Sequence, residues 1–162
     1  MAAATLTGSR AKTTVPKGGT GPAMSVQAGW GTVAVDAATE AGDIFEVCWV
    51  PGGATIIGGY VLAGDGDTGT ESLDIDIGWA ANGVDAADSD GLGNLGVWTG
   101  DAGEGMTTEP GNALFFGGTL LATGPKTFTV DTKIQLQTVA AAATGVIMNA
   151  TVVVLYLYNT TA

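Results

Sequence analysis

Residues 71–96 read ESLDIDIGWAANGVDAADSDGLGNLG, and the reading of this stretch decides the fold. Its opening alternates: Leu73, Ile75 and Ile77 fall on one side, Ser72, Asp74 and Asp76 on the other. A period of two sorts side chains onto opposite faces of an extended chain, so the segment is a half-exposed β-strand and not a helix. The whole stretch holds six acids and no base, and no period persists beyond Ala80. The expectation is an outward-facing strand edge running into a long acidic loop, irregular as far as residue 113. A loop of that length within one domain is usually functional or an interface element.

Strand signals continue in both directions. Upstream lie SVQAGWGTVAV (Ser25–Val35), DIFEVCWV (43–50) and ATIIGGYVLAG (54–64). The second ends at Pro51-Gly52, a turn signal, so the second and third form a hairpin or a corner. Downstream lie ALFFGGTLLA (113–122), KTFTVDTKIQLQTV (126–139) and GVIMNATVVVLYLYN (145–159). No window offers a convincing amphipathic helix. Seven or eight strands at short spacing, split by Gly-rich turns, predict an all-β fold: an antiparallel β-sandwich of jelly-roll type, or a small barrel. Residues 1–23 are dominated by Gly, Thr and Pro without a period and read as an extended N-terminal arm, leaving 24–162 as a single domain. The charge-free tail after residue 133 is long enough to imitate a membrane span. Thr144, Gly145, Asn149 and Thr151 interrupt it, and its second half is β-branched and aromatic, which suits a strand. No membrane partner is expected.

Composition removes much chemistry. Histidine is absent, which excludes His-based triads, imidazole ligands and proton shuttling near neutrality. The single Cys48 permits neither an intrachain disulfide nor a thiolate metal cluster, and its apolar setting predicts a core residue. Net charge is −11, but Arg10, Lys12 and Lys17 all lie within the first 17 residues. An acidic body repels nucleic acid, so no nucleic-acid partner is expected. The start lacks the apolar core of a signal peptide, and synthesis in the cytoplasm is the expectation.

The acidic residues fit no known site pattern. In an EF-hand register with Gly91 at the turn, the first and last ligand positions fall on Ala86 and Val97, neither of which coordinates calcium. Asp74 and Asp76 are near enough on one strand face for paired-carboxylate chemistry, but alternation predicts the same face in any half-exposed strand. The four tryptophans are scattered, one per segment, and read as core or interface packing. Gly58-Gly59 and Gly117-Gly118 lack the Lys-Ser/Thr of a phosphate loop and read as bulges or bends. No catalytic residue, cofactor or metal site is assigned, and the chain is not expected to be an enzyme.

Three stretches carry a resemblance: TGSRAKTTVPKGGTGPAMSVQAGWGTVAV (7–35), AGDIFEVCWVPGGATIIGGYVLAGD (41–65) and SLDIDIGWAANGVDAADSDGLGN (72–94). Their order is a small-residue arm, a "GDI" strand ending at Pro-Gly, then a "DIG" strand leading to an Asp-rich loop. It resembles the small β-rich decoration, or cement, proteins of tailed bacteriophage heads. The resemblance implies a structural virion protein on the capsid exterior. Its partners would be the major capsid protein and further copies of itself, a trimer being favoured. Arg10, Lys12 and Lys17 are the candidates for gripping an acidic partner surface. Val152, Val154, Tyr156 and Tyr158, from the most apolar strand, are the candidates for the oligomer interface. A phage tail or fibre β-domain, and a calcium- or carbohydrate-binding β-sandwich module, are the alternatives.

Overall fold

The computed structural model describes residues 5–7, 25–99, 107–108 and 123–158. Their strands are β1 (Thr5–Thr7), β2 (Ser25–Val35), β3 (Ile44–Val50), β4 (Ala54–Ala63), β5 (Asp74–Trp79), β6 (Asp88–Gly93), β7 (Trp98–Thr99), β8 (Thr107–Thr108), β9 (Thr132–Ala140) and β10 (Met148–Tyr158). The larger sheet has the order β1-β3-β9-β5-β6, the smaller one β2-β10-β4, and β7 and β8 form a separate ribbon. Pairing is antiparallel throughout except for β1, which lies parallel on the β3 edge with Thr5 opposite Ile44. The fold is an all-β sandwich. The strand expected at residues 113–122 lies outside the described residues, as does most of the arm at 1–23.

Alternation explains the core. Along β10, Val152, Val154 and Tyr156 point inward with Val33, Val35, Ile56 and Val61 of the same sheet. They meet Phe45, Val47, Ile75, Ile77, Ile134 and Leu136 of the larger sheet in one buried cluster. Apolar area removed from water is the main favourable term in such a fold. Cys48 is buried here as a free thiol. A register shift between β3 and β9 at residues 46–48 places Val47 and Cys48 both inside, a bulge that breaks the simple period.

The chain moves between sheets at corners. β3 and β4 do not pair with each other. Pro51-Gly52-Gly53 carries the chain from the larger sheet to the smaller, closed by Ala54 N–H donating to the Pro51 carbonyl at 3.1 Å. Gly53 adopts a φ of 87°, which favours glycine. Residues 126–128 then run along β4, with hydrogen bonds from Ile56 N–H to the Lys126 carbonyl and from Phe128 N–H to the Ala54 carbonyl. The expected bend at Gly58-Gly59 is present as a register shift where β4 meets β10.

Two local devices hold this arrangement. Where β2 crosses β3, a Cβ added to Gly31 would stand 2.2 Å from the Val47 carbonyl oxygen, and one on Gly29 2.8 Å from that of Trp49. The second device is Asp67. Its buried carboxylate accepts hydrogen bonds from the N–H and hydroxyl of Ser72 and from the N–H groups of Ala143 and Thr144, at 2.7–3.1 Å. Burial alone would raise its pKa, but the N–H groups of Thr144, Ala143 and Ser72 outweigh that and hold it below the ordinary value.

Gly31→Ala is expected to cost about 3 kcal/mol of stability, because the obstacle is backbone and no side chain can yield. Urea unfolding measures this. Asp67→Ala is expected to cost about 2 kcal/mol near neutrality, since it removes the buried acceptor of four hydrogen bonds. Because the folded pKa of Asp67 is depressed, its contribution is full above the unfolded value of about 4 and is lost as pH falls through the folded value. The mutant and wild-type melting curves should therefore converge in acid.

Candidate interaction surface

The acidic stretch that opened the sequence reading is more enclosed than its pattern predicts. β5 is not an edge: β9 flanks it on one side and β6 on the other. Residues 88–93, expected as loop, form β6. Ile75 and Ile77 face the core as alternation requires, but Asp76 on the opposite face is 5% exposed. The physical reason is the return of the chain over that face, where Leu95 N–H donates to Asp76 Oδ1 at 3.3 Å and Val97 bridges to Asp74. Burial raises the Asp76 carboxyl to about 6; the Leu95 N–H opposes this, and the charges of Asp74 and Asp90 reinforce it. Burial raises Asp74 as well, and its Oδ1 is buried without a hydrogen-bond partner. Among the described residues, no group of three or more acidic or thiol side chains is arranged to hold a metal ion.

A cleft of about 350 Å³ lies elsewhere, lined by Glu46, Trp49, Ala80, Ala81, Asn82, Asp131 and Lys133. Its polar groups are engaged in hydrogen bonds, with one another or with neighbouring residues. Lys133 Nζ donates to both Glu46 oxygens at 2.7 and 2.8 Å and lies 5.3 Å from the Trp49 ring centroid. The Asn82 amide donates to Asp85 and to Thr132, and Asp131 accepts from Gly52 N–H. Nearby, Lys126 pairs with Asp85 at 2.6 Å and stands over the edge-to-face rings of Trp79 and Phe128. These networks pin the 80–87 connection; they read as structural.

The expected contact residues divide into three groups. Arg10, Lys12 and Lys17 lie outside the described residues. Val152, Val154 and Tyr156, expected at an oligomer interface, are buried within the single chain. Their apolar character is accounted for by the core of their own sandwich. Tyr158, partly buried, packs against the same core from the end of β10.

What the sequence reading missed is the other face of the same strand. Residues 151, 153, 155 and 157 point away from the core, and three of them are Val153, Leu155 and Leu157. Register places Val153 between Trp30 of β2 and Tyr60 of β4, Thr151 between Thr32 and Leu62, and Leu157 between Val26 and Thr55. Val26 is 60% exposed, Leu62 51%, Trp30 48% and Tyr60 38%. No residue of β2, β4 or β10 carries a charge. The outer face of the smaller sheet is thus a largely apolar, uncharged surface, with Thr32, Thr55, Asn149 and Thr151 among its residues, on a strongly acidic protein.

The same fold occurs in two phage capsids. A chain in the capsid of Ralstonia phage GP4 is 19% identical with a TM-score of 0.64, covering 98% of this chain and all of that one. A chain in the capsid asymmetric unit of cyanophage Pam1 is 21% identical with a TM-score of 0.54, covering 91% of this chain and 95% of that one. No protein-family model and no curated protein matches the sequence.

Asp76→Asn keeps the acceptor for Leu95 N–H and removes a buried charge. The folded pKa is raised, so wild-type stability falls as pH rises from the unfolded value of about 4 to about 6. The variant is expected to be more stable than wild type by roughly 2 kcal/mol at about pH 7.5 and equal to it at about pH 3.5. Thermal unfolding at the two pH values checks this; equal melting temperatures at the higher one would show that the carboxylate is not burdened.

Proposed function

We propose that this chain is a structural protein of a phage virion. In this reading it binds the outside of the capsid and stabilises it, as a decoration or cement protein, and acts as a homo-oligomer with a trimer favoured. It is made in the host cytoplasm and performs no catalysis. The observation that carries the reading is the likeness, along nearly the whole chain, to chains in two phage capsids. Successive strands alternate between the two sheets across β2 to β5, and β9 and β10 do so again, which supports a jelly-roll winding for the body.

The physical chemistry is suited to that role. A cement protein needs a stable body and area to bury against neighbours, and the uncharged outer sheet face supplies such area. The basic residues Arg10, Lys12 and Lys17 precede an acidic body in sequence and are the candidates for gripping an acidic capsid surface. Many copies on a symmetric lattice gain avidity from contacts that are individually weak.

The test uses capsids of the phage that encodes this protein, assembled without it. Purified full-length protein is expected to co-sediment with these particles and to raise their melting temperature. A version lacking residues 1–20 is expected to keep the β circular dichroism of the body and to bind the particles at least roughly tenfold more weakly. Absence of co-sedimentation by the full-length protein would overturn the assignment, and equal binding by both forms would remove the arm from it.

A further inference from the structure

The outer face of the β2-β10-β4 sheet exposes Val26, Trp30, Tyr60 and Leu62. It is three strands wide and about ten residues long, which corresponds to roughly 14 by 33 Å, or about 450 Å². Two such faces together bury roughly 900 Å², close to the lower bound of about 1,000 Å² for a specific interface. Four threonine hydroxyls at this face are already paired within the fold. Thr32 and Thr151 share a hydrogen bond of 2.8 Å, and Thr55 and Thr127 one of 2.7 Å. Covering the face therefore leaves these groups with a partner, and the desolvation penalty of an orphaned polar group is avoided.

Charge selects among possible occupants. Two copies of a chain with net charge −11 repel wherever carboxylates oppose one another. The described cations offer no relief, because Lys126 and Lys133 are each paired with an acid of their own chain, Asp85 and Glu46. The uncharged sheet is where two copies meet without that repulsion. A basic partner would gain more from the acidic surfaces than from this one.

We infer that the outer face of the β2-β10-β4 sheet, centred on the row Trp30–Val153–Tyr60, docks a second copy of this chain. This rests on the oligomeric part of the function proposed above but, because like faces meet, it gives a two-fold pair in place of the trimer favoured there, and it stands or falls separately from capsid binding.

The experiment is light scattering on the full-length protein at roughly 1–100 μM, with charge introduced onto the face. Wild type is expected to be oligomeric. Trp30→Glu and Leu62→Glu each place a carboxylate at the contact, and each is expected to weaken association about a hundredfold while leaving the circular dichroism unchanged. Val139→Glu, an exposed apolar site on the larger sheet, is the control and should keep the wild-type mass. Using two variants on separate strands guards against one that fails to fold. A monomeric wild type, or folded Trp30→Glu and Leu62→Glu proteins of wild-type mass, would overturn the inference. If those two remain oligomeric but no longer bind capsids, the face belongs to the capsid contact: the inference then fails while the proposed function survives.

Discussion

The crossing of β2 over β3 governs the rest of the structure. Gly29 and Gly31 bring bare backbone against the carbonyls of Trp49 and Val47, at a separation that no Cβ fits. This contact joins the edge of the smaller sheet to the larger one and determines which residues of β2 face inward. Once Gly29, Gly31, Val33 and Val35 are inside, the alternating set Val26, Ala28, Trp30 and Ala34 must be outside. Pairing with β2 then carries the same parity into β10 and, through it, to β4. A steric requirement at two glycines thus leads to an apolar surface on the far side of the sheet.

The acids show how differently one fold treats the same group. Asp67 and Asp76 are both buried, yet their pKa values move in opposite directions. Asp67 sits where separate stretches of chain converge on it with four donors, and its charge is held. Asp76 has a single N–H at 3.3 Å and two acidic neighbours, so its charge is a burden that the surrounding packing must carry. Hydrogen-bond supply, more than depth, separates a stabilising carboxylate from a destabilising one. A raised carboxyl in a cleft is a common sign of an active site. Here the group is capped by the chain that follows β6, and the cleft seen among the described residues is lined by others.

Much of the fold was legible because period and turn chemistry agree. The strands at 25–35, 44–50, 54–63, 74–79 and 148–158 follow from alternation or β-branched runs bounded by Gly and Pro, and the corner at Pro51 from its own turn residues. β6 was not legible, because Asp88-Ser89-Asp90-Gly91 has loop composition and is held as a strand by pairing with β5. The cover over Asp76 was not legible either: it comes from Leu95, reached through a tertiary return that local pattern does not encode. The candidate surface was half legible. An apolar β10 announces a buried strand, but with Val152, Val153, Val154 and Leu155 in succession both faces are apolar, and period alone cannot say which one is the core. Only the glycine crossing on a different strand resolves that ambiguity.

This two-sided strand separates the demands of folding from those of association. Val152, Val154 and Tyr156 hold the sandwich together, while Val153, Leu155 and Leu157, one residue away from each, leave their faces available. Because a strand's parity is exact, a register slip of one residue would exchange the two sets, and both are apolar enough to tolerate it. The hydrophobic pattern of β10 therefore does not secure its own register. That task falls to its neighbours. The inward glycines of β2 admit β3 in one parity alone, and the shift opposite Gly58 fixes β4 against β10. A protein that presents a largely apolar sheet face must protect itself against mispairing, and here the protection lies in small residues that forbid the alternatives.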